Sequence, residues 1–258
     1  MLTINQYVKV KSLEEAYELN QKRANRVLGG MMWLRMSKGR AMTAIDLSDL
    51  GLDKIEERED AFSIGCMCTL REMETHEGLH EYFDGAIKEC VRHIVGVQFR
   101  NSATVGGSIF GRFGFSDVLT CFLALDTYVE RYKGGIVSLK EFVDMPRDND
   151  ILVRILIKKD GRKVKYLSER MTKTDFPMIA AAVAVKEEKV YCAVGARPMK
   201  AMLVEDVLPQ KDAIDMFAQK MKEKFTYGSN MRGSAEYRKH LAGVCIRRAL
   251  TELLKETK

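Results

Sequence analysis

Two glycine pairs constrain this chain more than any other feature. Gly29-Gly30 follows Arg26-Val27-Leu28, which reads as a short strand, and precedes Met31 to Met36, which reads as a short helical turn. Gly106-Gly107 lies inside Arg100-Asn101-Ser102-Ala103-Thr104-Val105-Gly106-Gly107-Ser108-Ile109. Adjacent glycines lack a Cβ, so the backbone can approach a ligand and turn its N–H groups toward an anion. Taken alone, a tight turn is the simpler account of the first pair. The second pair has richer surroundings. Asn101 can fix a turn, Thr104 and Ser108 offer hydroxyls, and the carboxylate of Asp117 follows Gly111-Arg112-Phe113-Gly114. A ligand with phosphates and sugar hydroxyls uses this set well: amides take a diphosphate and the carboxylate accepts from a hydroxyl.

The pattern around the glycines alternates between strands and helices. Val8 and Val10 end a strand, and Ser12 with Glu15 predicts a capping box opening a helix that runs to about Ala24. Ala44 to Leu47 reads as a further strand, followed by a polar boundary from Asp53 to Asp60. A strand at Phe62 to Gly65, a capping box at Thr69 and Glu72, and a helix from about Gly85 to Val95 come next. An apolar helix covers Val118 to Leu125, and strands cover Thr127 to Tyr132 and Ile151 to Ile157. Asp160-Gly161 turns the chain into Lys163 to Tyr166. Beyond it, strands at Ile179 to Val185 and Val190 to Val194 precede a long helix capped by Ser234, with Tyr237, Leu241, Val244, Leu250 and Leu254 on its apolar face. The expected organisation is three parts, 1–58, 59–167 and 168–258, in an α+β protein.

Several function classes drop out. No G-x-G-x-x-G and no phosphate-binding P-loop are present. The net charge of +6 is spread among acidic residues, without a basic patch interleaved with aromatics, so no nucleic-acid partner is expected. No apolar run is long enough to span a membrane, and Met1 to Gln6 lacks a secretory pattern, so a cytoplasmic protein with six free thiols is expected. His76 with His80, and Cys66 with Cys68, lack the further ligands that a zinc or iron–sulfur site requires. No side-chain acid, base or nucleophile stands out, which fits a protein whose cofactor carries the chemistry.

The stretch R-N-S-A-T-V-G-G-S at 100–108, followed by S-D at 116–117, resembles the second flavin motif of the FAD-binding subunits of molybdenum hydroxylases. That group includes xanthine dehydrogenases and the medium subunit of aerobic carbon monoxide dehydrogenase. Gly29-Gly30 falls where the family has its A-G-G-[ST] loop. Phe62 to Leu70 is similar to the family's I-G-A-x-x-T-L segment, and Arg232 to Arg238 to its R-G-S-x-x-Y-R motif. The resemblance implies a two-subdomain FAD-binding domain of the vanillyl-alcohol-oxidase (PCMH-like) type, with a C-terminal α+β domain. It implies diphosphate contacts from Leu28, Gly29, Gly30, Met31, Met32, Trp33 and Leu34. It implies phosphate and ribitol contacts from Thr104, Val105, Gly106, Gly107 and Ser108, and flavin hydroxyl contacts from Asp117. Ile155 or Leu156 would lie against the isoalloxazine ring. The implied partners are a molybdenum-cofactor subunit and a [2Fe-2S] subunit, with NAD or another electron acceptor.

One departure stands out. Leu28 and Met31 replace the family's Ala and its hydroxyl residue. Losing a hydroxyl to a charged phosphate costs about 1.5–3 kcal/mol. An assembly subunit with weakened or lost flavin binding is therefore the alternative reading.

Overall fold

The computed structural model describes residues 2–255. Its first module is built from β1 (Thr3–Lys9), α1 (Leu13–Asn20), β2 (Arg26–Leu28) and β3 (Arg40–Asp46). The strands form a parallel sheet in the order β1-β3-β2. Ser12 caps α1 by accepting from the Glu15 amide, while Glu15 reaches back to the amide of Lys11 rather than to that of Ser12. The helix stops at Asn20, short of the expected Ala24, and the Asn25 side chain takes the Leu19 carbonyl.

The second module holds β4 (Ile55–Glu57), β5 (Ala61–Gly65), α2 (Leu70–Thr75), α3 (Glu77–Tyr82), α4 (Ala86–Val91), α5 (Val97–Arg100), α6 (Val105–Phe110), α7 (Asp117–Ala124), β6 (Thr127–Arg131), β7 (Gly135–Ser138), α8 (Leu139–Asp144) and β8 (Leu152–Lys158). Its antiparallel sheet runs β4-β5-β8-β6-β7. The capping box at Thr69 and Glu72 forms as expected. The helix expected from Gly85 to Val95 ends earlier, and Val95 takes a left-handed φ of 51°. The glycine-rich stretch contains a helix, α6, with Gly106 and Gly107 in its first turn. Intrinsic propensity argues against that helix. Thr104 offsets the cost by capping it through the Gly107 amide.

The third module holds β9 (Lys163–Arg170), β10 (Pro177–Lys186), β11 (Lys189–Gly195), β12 (Met202–Val207), α9 (Ile214–Lys222) and α10 (Ala235–Lys255). Its antiparallel sheet runs β12-β11-β10-β9. Two expected boundaries therefore move. β4 pairs with β5, so the second module begins before residue 59. β9 pairs with β10, so the third begins near residue 163 and not at 168. At the first boundary the polar segment 53–60 itself contains β4, which the hydrogen-bond ladder assigns to the second module.

Side chains of β10 alternate between two cores. Ile179, Ala181, Val183 and Val185 join the apolar cluster of α9 and α10. Ala180, Ala182 and Ala184 join the cluster that contains α7. Small residues on that face let α7 lie close, and a Cβ on Gly195 would come within 1.9 Å of Thr120 Oγ1. All eight residues of α7 are buried. In α10, Leu250 and Leu254 are buried as expected, while Tyr237 is 48% exposed and the buried face starts at Arg238.

Candidate functional site

The two glycine loops meet. A Cβ on Gly30 would stand 1.8 Å from the Ser102 carbonyl oxygen, and one on Gly29 would stand 2.8 Å from Thr104 Oγ1. The second loop is strapped to the segment after β5 by the Leu70 amide to the Ala103 carbonyl (2.8 Å), Val105 to Cys68 (2.8 Å) and Gly106 to Cys66 (2.9 Å). A Cβ on Gly106 would lie 2.5 Å from the Cys66 carbonyl oxygen. Only glycine permits this contact at positions 30 and 106.

A cavity opens on each side of the junction. The larger, about 450 Å³, is lined by Gly29 through Leu34, by the aromatic rings described below, and by Asp117 and Arg170. The smaller, about 340 Å³, is lined by Arg23, Leu28, Cys66, Gly106, Ile151 and Leu152 among others. Arg26, Val27, Gly29, Thr104, Gly107 and Phe110 line both. Asn20 and Asn149 also line the smaller cavity, and the Asn149 carbonyl accepts from Asn20 at 2.7 Å and from Gln21 at 3.1 Å.

Hydrogen-bond accounting divides the two loops. In the second loop the amides of Val105, Gly106, Gly107 and Ser108 are all used, by Cys68, Cys66, the Thr104 hydroxyl and the Thr104 carbonyl. Ser108 also donates its hydroxyl to the Thr104 carbonyl at 3.0 Å. In the first loop, the amides of Gly29, Gly30, Met31 and Met32 donate to no group among the described residues. Unpaired amides in a concave loop form an anion nest. The expectation that Gly106-Gly107 supplies the anion-binding amides is thus corrected: helix formation in α6 consumes them. The free donors belong to Gly29-Gly30, and Met31 beside them is held at a left-handed φ of 55°.

Arg26 adds charge. Its Nη1 donates to the carbonyls of Arg23 (2.6 Å) and Asn25 (2.7 Å). It lines both cavities.

The larger cavity has an aromatic wall. Trp33 lies 5.3 Å from Phe115, 5.6 Å from Phe176, 6.2 Å from Phe99 and 6.3 Å from Phe113, ring centre to ring centre. Phe113 and Phe115 stack at 5.2 Å, and the Arg232 guanidinium sits 4.8 Å above Phe176.

Asp117, at the start of α7 and 4% exposed, lines the same cavity. Its Oδ1 accepts from the Tyr166 hydroxyl and from Arg170 Nη2. Burial pushes the Asp117 carboxyl up to about 6, against the opposing pull of Arg170 and Tyr166. Burial and the neighbouring carboxylate hold the Tyr166 phenol well above its ordinary range. The Cys66 thiol, on the smaller cavity, is pushed up to about 12 by burial, which makes it a poor nucleophile.

A family model described as the FAD binding domain in molybdopterin dehydrogenase matches residues 3–159, and one described as the CO dehydrogenase flavoprotein C-terminal domain matches residues 165–253. The chain belongs to the molybdopterin dehydrogenase FAD-binding family. It is 25% identical over 248 residues to the uncharacterized protein YgfM of Escherichia coli K12, covering 94% of each chain. It is also 25% identical over 274 residues to the glyceraldehyde dehydrogenase medium chain of Sulfolobus acidocaldarius, covering 96% of this chain and 97% of that one. A solved carbon monoxide dehydrogenase from Hydrogenophaga pseudoflava, lacking the Mo-pyranopterin moiety of its molybdenum cofactor, shares the fold. Its TM-score is 0.83 at 20% identity, with 95% of both chains covered.

The chain therefore carries an FAD-binding domain, and its residues fit that cofactor. The Cβ-free contact of the two loops, the unspent amides, the Arg26 guanidinium and the flanking cavities together suit a diphosphate between two ring systems. Most residues expected at a family site converge here. Leu28 lines the smaller cavity, Gly30 to Leu34, Ser108 and Asp117 the larger, Gly106 the smaller, and Gly29, Thr104 and Gly107 both. Val105 is fully buried and lines neither. Ile155 is fully buried in mid-sheet, paired with Ile64 and Val129, and Leu156 pairs with Ser63 and Tyr128. They line neither cavity because β8 meets the cleft with its opposite end, through Ile151 and Leu152. Sequence reasoning also missed Arg26, Arg170 and the phenylalanine wall. Arg26 was signalled by its place at the start of the short strand that leads into Gly29. The others carry no local signal, since they come from separate modules. Among the described residues no cluster could hold a metal ion, and no helix is long and apolar enough to cross a membrane.

Proposed function

We propose that this chain is the FAD-carrying medium subunit of a cytoplasmic molybdenum hydroxylase complex. One observation carries the reading: the unspent amides of Gly29 to Met32 border the larger cavity, and Gly29 borders both. They would hold the FAD diphosphate, with Arg26 offsetting its charge and the Thr104 hydroxyl free to donate its proton. Asp117 would accept from a ligand hydroxyl. Leu152, rather than Ile155 or Leu156, would border the ring bound in the smaller cavity. Bound FAD supplies a redox carrier that accepts electrons singly or in pairs. This chain's residues bind it, orient it and keep water from its buried faces. The partners proposed are a [2Fe-2S] subunit and a molybdenum-cofactor subunit, with NAD or another acceptor taking the electrons. Support for the partners comes from the molybdopterin dehydrogenase family and from the carbon monoxide dehydrogenase of like fold, whose own cofactor is a molybdenum one.

Purified protein titrated with FAD tests the proposal. The expected result is a flavin absorbance band retained through gel filtration and quenching of Trp33, the single tryptophan. Colourless protein that never takes up FAD would overturn it. Met31 favours a second reading, an assembly subunit with weakened flavin binding. Its side chain replaces a hydroxyl, and its backbone is strained at φ 55°. Complex formation without flavin uptake would support that reading.

A further inference from the structure

The connection between Asp117 and β9 is lopsided. Tyr166 and Arg170 both reach Oδ1 of Asp117, and no other residue is bonded to Oδ2 among the described residues. Arg170 is itself fixed on every side. Its Nε donates to Ser168 Oγ at 3.2 Å and its Nη1 to the Asp175 carbonyl at 2.6 Å. Asp175 in turn lies 3.4 Å from Arg232. Arg170 and Asp117 both line the larger cavity and have side chains only 7% and 5% exposed. Asp117 thus borders the larger cavity with its Oδ1 doubly engaged.

We propose that Arg170 and Tyr166 are positioning residues for Asp117, holding Oδ2 toward the larger cavity as an ionised acceptor for a hydroxyl of the bound dinucleotide. This inference rests on the reading of the cleft as the FAD site. It makes the third module a determinant of cofactor grip, although the glycine loops belong to the first two.

The surroundings support a role for charge. Burial disfavours the Asp117 carboxylate, while Arg170 and Tyr166 favour it. Two neighbouring groups, Cys90 and His93, are pushed toward their neutral forms. Cys90 on α4 is buried and its thiol is held far above its ordinary range. His93 is held low by burial and by Arg92, with Arg170 and Lys173 contributing, against the opposing pull of Glu89. Arg170 is thus the cation that keeps Asp117 ionised.

The experiment is an FAD titration of the full chain across pH, read by Trp33 quenching and equilibrium dialysis. Wild type, Arg170→Met, Arg170→Lys, Tyr166→Phe and Asp117→Asn are compared. In wild type, affinity should fall as the pH drops through the Asp117 midpoint. Arg170→Met and Tyr166→Phe should move that midpoint upward, and a displacement of about one unit weakens binding on its acid side by up to about tenfold. Arg170→Lys should restore most of the shift, and Asp117→Asn should remove the pH dependence. An unchanged midpoint in both Arg170→Met and Tyr166→Phe overturns the inference, whether or not binding weakens uniformly. If Arg170→Met does not fold, Tyr166→Phe and Asp117→Asn decide alone. Failure of wild type to bind FAD at any pH overturns the cofactor reading itself.

Discussion

Gly30 and Ser102 touch so closely that a single added carbon on Gly30 would overlap the Ser102 carbonyl oxygen, at 1.8 Å. This contact joins the two glycine loops and sets the width of the cleft between the cavities. A carbonyl cannot rotate aside as a flexible side chain can, so Gly30→Ala must displace backbone. It is expected to destabilise the protein by about 1–3 kcal/mol and to abolish FAD retention. Gly107→Ala meets only the Thr104 hydroxyl at 3.1 Å and should be milder. Urea melts of the two variants check the order.

Arg26 should act through charge. Replacing it by Met is expected to weaken FAD binding by about tenfold, close to 1.4 kcal/mol, while Arg26→Lys keeps most of the affinity. The salt dependence of the Met variant should be flatter than that of wild type. Dialysis at two ionic strengths measures both effects.

Asp117 links stability to pH with a sign opposite to that of most carboxylates. Its folded-state value is raised to about 6 from an ordinary 3.8. The folded state therefore holds its proton more tightly than the unfolded state does. The resulting stabilisation is complete below the unfolded value and is lost as pH rises through about 6. The size is about 3 kcal/mol across that window. Glu74, whose carboxyl Arg100 and Arg71 hold low despite burial, contributes in the other direction. The Asp117 share is isolated as the difference in slope between wild type and Asp117→Asn in cofactor-free protein between about pH 4 and 6. Equal slopes would contradict the assignment.

Arg238 should be a stability residue rather than a binding one. It is 1% exposed and donates to the carbonyls of Met178, Ala196 (2.7 Å) and Gly233 (3.3 Å) and to Asn230 Oδ1. Arg238→Met keeps the stem but strands those acceptors. The expected loss is about 3 kcal/mol or more, seen as a lower thermal midpoint with FAD affinity per folded molecule unchanged.

Much of this architecture was legible along the chain, because periodic burial and capping residues are local signals. Thr69 with Glu72, Ser234, and the strands around Ile155 and Val183 followed from them directly. The division of labour between the glycine pairs was not legible. Whether the Gly106 amide is free depends on Cys66, forty positions away, and on α6 forming despite its glycines. The order of importance between the loops consequently reversed. Gly29-Gly30 holds the available donors, and Gly106-Gly107 supplies close packing. The family resemblance implies a flavin contact for Ile155 or Leu156, but the end of the strand that faces the cleft is fixed only by sheet topology.

The burial of α7 on every side has a consequence for how this protein comes apart. Two inherited domains meet in the sequence between residues 159 and 165. The apolar core does not respect that seam, since Val164, Tyr166, Ala180, Ala182, Ala184 and Ala193 pack in the same cluster as Phe122 and Leu119. A fragment cut at the seam would uncover the buried face of α7 that packs on the third module and lose the partners of Asp117. The unit of descent is therefore smaller than the unit of cooperativity, and the chain should melt as one body.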